Sequence, residues 1–509
     1  MRNAFFKSGN VCKMFFCTVP LLSLVNCENV VAQRKSLPNI IYILADDMGY
    51  GDIRALNQNS RIPTPHLDRM ISQGRTFTDA HSNSAVSTPT RYGTLTGRYA
   101  FRSRLKSGVL VGYDPPLIEQ NRETVASFLK KNGYRTACIG KWHLGLDWAK
   151  KDSTKALYEG SPWDTRATDN VDYAAKIKGG PNDCGFDYSL IMPASLDIAP
   201  YVYIENGKVT APVTRHAENW KSDEARGMWY RHGDIAEDFS HENCLQRFTE
   251  QSVKFINSTA NSSEPFFLYF PLTAPHTPWL PSKEFKGRSQ AGVYGDFVCM
   301  VDDVVRQIYE ALEKTGQTEN TLVIFTSDNG SHWLESDIKQ TGHSANGIYS
   351  GMKSDIWEGG HRVPYIVTWP SVVKAGTTSQ QVVCSTDLMA TCADIVGKNL
   401  PPQAGEDSFS FLKALTDQSF GKLPARESII YHSIEGYFGF RQGEWVLLDC
   451  KGSGGWSLPE DKAKELSKMQ LYNLKNDPQE KKNLSESNVK RVKKMKLQMD
   501  KIVTSSNSH

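Results

Sequence analysis

The chain alternates between short, nearly unbroken apolar runs and longer amphipathic stretches. Residues 40–45, 134–139, 266–270, 321–326 and 365–369 are compact runs of aliphatic, β-branched and aromatic residues. Runs of this length with almost no polar break predict strands covered on both faces. Between them, apolar residues recur at helical spacing. Residues 65–73 put Leu67, Met70 and Ile71 on one face, with Thr64 as the expected N-cap and Pro65 in the first turn. Residues 125–132 and 241–256 also read as helices, and 294–315 sets Met300, Val304, Ile308 and Leu312 four apart. Residues 385–395 open on Ser-Thr-Asp and read as a capped helix. Strands alternating with helices predict an α/β fold class, a large mixed, mostly parallel sheet sandwiched by helices.

Two regions break this rhythm. Residues 147–240 are irregular and rich in Gly, Pro, Asp and aromatics, including Trp163, Tyr173, Tyr188, Tyr201, Tyr203, Trp220, Trp229 and Tyr230, with Arg166, Arg215, Arg226 and Arg231. These side chains either pack surface insertions or offer ring faces and planar hydrogen-bonding groups to a sugar, and long structured loops are often functional. From Ser428 the runs shorten to 429–431, 437–441 and 445–448 with Gly turns between them, an antiparallel sheet, and a basic helix closes the chain at 488–502. The expected organisation is an export signal at 1–32, a catalytic domain at 33–425 and a smaller C-terminal α+β subdomain at 426–509.

Composition narrows the class. With 509 residues, 39% hydrophobic and 23% charged, the chain is globular, and a net charge of +3 gives no general case for nucleic acid. Arg2, Lys7, the apolar stretch from Met14 to Val25 and the small residue Ala32 read as a cleaved signal, too short for a confident membrane span. Export to the periplasm follows, with a lipoprotein anchored at Cys27 as the alternative. Beyond Cys12, Cys17 and Cys27, the remaining cysteines lack a zinc-like pair spacing, and burial as small hydrophobes is expected for several.

Chemistry concentrates where predicted strands end. Asp46 and Asp47 close the 40–45 run and enter a glycine-rich turn. Ligands of α/β sheets bind beyond strand carboxyl ends, and paired carboxylates suit calcium or magnesium; a solvated turn is the alternative. In Ser87-Thr88-Pro89-Thr90-Arg91, Pro89 is expected to open a helix with Ser87 just before it and Arg91 reaching back. That is a site for phosphate or sulfate, or else an ordinary Ser/Thr cap. Lys141 and His143 alternate around Trp142 and are expected on one side of an extended segment. His276 follows the 266–270 run, Asp328 and Asn329 follow 321–326, and Lys353 precedes Glu358 and Arg362.

The stretch beginning at Ser87 and running to Leu95-Thr96-Gly97 resembles the signature of the type I sulfatases of the alkaline phosphatase superfamily. Asp46-Asp47, Gly140-Lys141-Trp142-His143-Leu144-Gly145, His276, Asp328-Asn329, the Gly351–Pro364 stretch and Leu471-Tyr472-Asn473 resemble further motifs of that family, in order and across nearly the whole chain. Serine at position 87 is similar to the serine-type bacterial subset, which includes carbohydrate sulfatases. The resemblance implies that Ser87 is oxidised to formylglycine by a radical-SAM maturation enzyme. It also implies one Ca²⁺ held by Asp46, Asp47, Asp328, Asn329 and the converted Ser87. Arg91 would hold the hydrated aldehyde, Lys141 and Lys353 the sulfate, while His143 acts as base and His276 protonates the leaving group. Glu358 and Arg362 would pair behind the site. The implied substrate is a sulfated carbohydrate built on galactose, N-acetylgalactosamine or a related unit. A phosphonate monoester or phosphodiester hydrolase is the alternative enzyme, and an unmodified Ser87 would leave a non-catalytic binder of sulfated glycans.

Overall fold

A computed structural model describes residues 37–164, 169–416 and 426–509. The expected signal, with Cys12, Cys17 and Cys27, lies outside these residues, as do Arg166 and the expected domain boundary at 425. The centre is a ten-stranded sheet. In chain order its strands are β1 (Asn39–Ala45), β2 (Arg75–Phe77), β3 (Arg135–Lys141), β4 (Tyr188–Met192), β5 (Ile204–Glu205), β6 (Lys208–Val209), β7 (Phe266–Pro271), β8 (Thr321–Ser327), β9 (Tyr365–Thr368) and β10 (Thr377–Ser379). Their spatial order is β10-β2-β9-β8-β1-β7-β3-β4-β5-β6.

The five strands β8-β1-β7-β3-β4 are parallel, with Ala45 opposite Ser327 and Leu44 opposite Pro271. Their carboxyl ends therefore share one edge, and every residue of β1 after Asn39 is buried. Burying each such isoleucine contributes about 1.5–3 kcal/mol, which favours unbroken apolar strands here. Antiparallel β9 and the β5–β6 hairpin make the sheet mixed, as the pattern of runs predicts.

Helices flank the sheet in two groups. One contains α1 (Pro65–Gln73), α4 (Cys244–Ser258) and α5 (Gly292–Lys314); the other contains α2 (Ser87–Thr96), α3 (Val125–Lys131) and α6 (Leu388–Val396). Several helix starts differ in detail from expectation. Thr64 does not cap α1 with its side chain; Asp302 of α5 accepts the N–H groups of His66 and Leu67 instead, at 3.2 and 2.7 Å. A carboxylate from a packed helix satisfies two orphan donors where one hydroxyl serves one. Helix α4 begins at Cys244, not His241, because Tyr230 stacks on the His241 ring 4.0 Å away and holds it in the preceding loop. At α6, residues Ser385–Asp387 form a tighter turn first, with Asp387 accepting the N–H of Cys384.

The C-terminal part is an antiparallel sheet of four strands, β11 (Ser428–His432), β12 (Phe438–Gln442), β13 (Trp445–Asp449) and β14 (Met469–Asn473), packed with helix α7 (Val489–Thr504). The fourth strand is one more than the pattern predicts, since its apolar core is only Leu471 and Tyr472. Asp79, just after β2, binds this part to the large sheet: Arg441 of β12, Arg362 and His81 all converge on its carboxylate. All seven cysteines among the described residues are buried and unpaired. No helix among them is long and apolar enough to cross a membrane.

Candidate active site

The shared carboxyl edge gathers all ten residues singled out from the sequence. Asp46 and Asp47 leave β1, Asp328 and Asn329 leave β8, Lys141 ends β3, and His276 follows β7. Ser87 and Arg91 arrive on α2, and Lys353 on the loop before Glu358.

Helix α2 starts at Ser87 itself, not at Pro89. Val86 is extended and supplies the cap position, so Ser87 lies within the first turn and Pro89 within the same turn, where no N–H is needed. The Ser87 hydroxyl lies 3.4 Å from Asp46 Oδ1. One turn on, fully buried Arg91 places Nη2 3.1 Å from Asp46 Oδ1 and 2.7 Å from Asp328 Oδ2. Its Nη1 donates to the Lys141 carbonyl at 3.2 Å.

Lys141 and His143 reach the site by a different route from simple strand alternation. The strand ends at Lys141, and His143 adopts a left-handed backbone with φ 56°. Gly140 just before has φ 133°, and a Cβ there would stand 1.9 Å from the Pro271 carbonyl. Glycine lets β3 and β7 close at this point. Lys141 Nζ then meets both Asp46 oxygens, at 2.9 and 2.7 Å. Lys353 Nζ lies 2.7 Å from Asp47 Oδ2, and His276 Nε2 lies 3.7 Å from the same oxygen.

The electrostatics follow from these pairs. Burial alone opposes charge on Asp46, but Lys141, His276 and Arg91 outweigh it and hold the carboxyl down at about 2. Burial is likewise overcome at Asp47, held low by Lys353 and His276. The two lysines part company. Burial draws Lys141 down despite Asp46, whereas Asp47 and Asp46 raise Lys353 against its burial. Burial, with Lys141 and Arg91 nearby, drives His143 well below the usual range, so it is neutral. Its Nε2 faces the Leu110 carbonyl at 2.8 Å, which only accepts, so Nε2 carries the proton. Nδ1 is then a buried lone pair with no hydrogen-bond partner among the described residues.

An oxygen-ligated cation fits this donor set. Ligand atoms of Asp46, Asp47 and His276 lie within 4.8 Å of one another. The buried Asn329 Oδ1 has no hydrogen-bond partner among the described residues, while its amide nitrogen sits 2.7 Å from Asp47 Oδ1 and 2.9 Å from the Gly330 carbonyl. With a cation bound beside Asp47, a half-turn of that amide would exchange the nitrogen's two hydrogen bonds for an oxygen ligand. Carboxylates, an amide oxygen and a carbonyl are the ligands calcium takes.

Glu358 and Arg362 pair at 2.9 Å away from this cluster, as expected. The sequence reading passed over two residues near it. His332 is brought to about 4 by burial and by Arg226 and Lys353. Asp197 places Oδ1 3.8 Å from His276 Nδ1. Neither sits in a motif: His332 follows Asn329 by three residues, and long-range packing brings Asp197 in.

A buried nucleophile candidate, paired carboxylates and flanking cations at the carboxyl edge of a mostly parallel sheet define a hydrolase of anionic esters. The chain belongs to the sulfatase family: the family model described as Sulfatase matches residues 38–398, and that of the N-sulphoglucosamine sulphohydrolase C-terminal region matches 351–506. It is a sulfuric ester hydrolase of the type I, alkaline-phosphatase-like class. It is 30% identical to an N-acetylgalactosamine-6-O-sulfatase of Bacteroides thetaiotaomicron, over 97% of this chain and 99% of that protein. It is 32% identical to human N-acetylgalactosamine-6-sulfatase, over 77% of this chain and 68% of that one. A solved 6S-sulf structure from work on glycosaminoglycan metabolism by Bacteroides thetaiotaomicron superposes with a TM-score of 0.78 at 28% identity, covering 92% of this chain and all of that one.

Proposed function

We propose that this enzyme removes O-sulfate from carbohydrates, with N-acetylgalactosamine or a related galactose unit as the sugar. The relatives that act on N-acetylgalactosamine 6-sulfate support the sugar class. One observation carries the chemistry: the Ser87 hydroxyl lies 3.4 Å from Asp46 in a pocket where Arg91, Lys141 and Lys353 also meet the carboxylates. In this reading Asp46, Asp47, Asp328, Asn329 and the converted Ser87 would hold one Ca²⁺, which would supply Lewis acidity toward a sulfate oxygen. The aldehyde made from Ser87 supplies, once hydrated, a nucleophile with a second hydroxyl through which sulfate is expelled.

The chain's own residues do the rest. Lys141 and Lys353 bind sulfate oxygens and offset the charge that grows on them, the dominant contribution in such transfers. Arg91 fixes the carboxylates and the nucleophile's helix at once. His276 keeps Nδ1 on the Thr277 carbonyl, 2.6 Å away, which leaves Nε2 to give the leaving oxygen its proton. His143, held as the Nε2–H tautomer, offers Nδ1 as the base. We further propose export to the periplasm and maturation by a serine-type radical-SAM enzyme.

Mass spectrometry of the tryptic peptide spanning residues 76–91, from protein made in its native host, tests this. A peptide lighter by two hydrogens is expected. An unmodified Ser87 in active protein would sink the aldehyde mechanism, and faster turnover of phosphodiesters than of sugar sulfates would sink the assignment.

A further inference from the structure

The groups around His276 continue outward beyond the cluster that handles sulfate. Asp197 lies in the loop after β4, between His276 and Arg231. Its Oδ1 is 3.8 Å from His276 Nδ1, and its Oδ2 accepts from Arg231 Nη1 at 2.6 Å. Ser195 donates its hydroxyl to Oδ1, and Arg231 Nη1 also reaches the Asp197 carbonyl at 3.2 Å. The guanidinium is held over two indoles, 4.9 Å from the Trp229 ring centre and 5.2 Å from that of Trp163. Exposure is low at the inner end and high at the outer: the side chains of His276 and Asp197 are 12% and 8% exposed and that of Arg231 31%, while Trp163 as a residue is 45% exposed. The line Asp47–His276–Asp197–Arg231–Trp163 thus leads from the sulfate cluster to solvent.

A second aromatic rim starts at Lys353. Its neighbour Ser354 accepts the backbone N–H of Trp456 at 3.0 Å, and the Trp456 ring lies 5.1 Å from that of His332. Trp456 is 43% exposed, although a large apolar ring in a glycine-rich loop has every reason to bury.

Neither Asp197 nor Arg231 contacts Ser87, Asp46 or either lysine through a hydrogen bond. Their geometry suits another task. A carboxylate and a guanidinium locked together present an acceptor and a donor side by side, the complement of a hydroxyl pair on a sugar ring, while an exposed indole suits the ring's C–H face. His276 Nε2 is the atom that meets the leaving oxygen, while Asp197 stands at Nδ1 of the same ring, so Asp197 and Arg231 border the way from that oxygen to solvent.

We propose that Asp197 and Arg231 form the subsite that reads ring-hydroxyl orientation next to the sulfated position, with Trp456 as the stacking platform. This rests on the carbohydrate sulfatase reading above. A fixed pair of this kind leaves its polar groups unpaired against the wrong epimer, and that is the physical basis of discrimination.

The test compares kcat/KM on N-acetylgalactosamine 6-sulfate and N-acetylglucosamine 6-sulfate, with 4-methylumbelliferyl sulfate as a sugar-free ester. Wild type is expected to prefer one epimer. Asp197→Ala should cost roughly 100-fold on that epimer and clearly less on the other, so that their ratio falls toward one. Arg231→Lys should narrow the ratio partly, and Trp456→Ala should raise KM on both sugars more than on the aryl ester. Equal losses for Asp197→Ala on both sugars and the aryl ester would overturn the proposal and make Asp197 a support for His276. A wild type indifferent to the epimers would overturn it as well. If wild type cleaves no sulfate ester, the hydrolase reading fails by itself. Calorimetry on Ser87→Ala protein then still decides the subsite, because adding Asp197→Ala must weaken the preferred sugar sulfate by about tenfold or more.

Discussion

Arg91 Nη2 stands 2.7 Å from Asp328 Oδ2, with both side chains sealed from solvent. The same nitrogen touches Asp46, so one guanidinium ties the ends of β1 and β8 to helix α2. Two carboxylates that would repel each other are thereby held together by one shared cationic partner.

Removing that tie is expected to be costly. Arg91→Ala leaves buried carboxylates unpaired, and about 3–5 kcal/mol of stability should be lost in urea unfolding. Arg91→Lys keeps the charge but loses the planar fork, so activity should fall even where the protein folds. A stability change under about 1 kcal/mol for the alanine variant would contradict this account of the pair.

Calcium should stabilise the fold through Asp47 and its neighbours. In thermal melts the midpoint should rise with free Ca²⁺, by the equivalent of about 2.7 kcal/mol at a hundredfold excess over Kd. A calcium chelator should abolish activity and added Ca²⁺ restore it. Asp47→Asn should flatten the calcium dependence, since it removes a carboxylate from the cluster; an unchanged slope would place the cation elsewhere.

Acid sensitivity should reside partly in Asp79. Burial opposes its charge, but Arg362, Arg441 and His81 hold its carboxyl far below the ordinary range. A depressed folded-state pKa contributes stability that is fully present above the unfolded value near 4 and is lost as pH falls below it. Asp79→Asn should therefore cost about 3 kcal/mol at neutral pH, with the gap from wild type closing below about pH 4. Denaturant titrations across that range check the sign.

Gly140 sets where Lys141 can reach. With φ 133° and the Pro271 carbonyl 1.9 Å from where a Cβ would lie, Gly140→Ala should destabilise by more than about 2 kcal/mol. Lys141 should be displaced with it. A folded variant with a normal melting midpoint and normal KM would show that the two strands part there without penalty.

Much of this was legible in one dimension. Unbroken apolar runs announced the parallel strands, because a strand covered on both faces has no reason to alternate. Acidic and amide residues directly after those runs announced the site, because parallel strands end on one edge. The shortfalls were local or long-range. The first turn of α2 was misplaced by two residues, since Pro89 is tolerated anywhere in a first turn and its position does not mark the start. Strand β14 was missed because two apolar residues are too few for periodicity to register.

Fold class, family and the ten candidate residues of the cluster were each readable from a local pattern or a short motif. The tertiary structure alone decided the rest. It put Asp302 rather than Thr64 at the start of α1 and turned His143 into the site through a left-handed backbone. It also set Asp197 and Arg231 beside His276 and Trp456 beside Lys353, across large separations in the chain. Such contacts depend on which surfaces the packed sheet brings together, and no spacing within a segment encodes them.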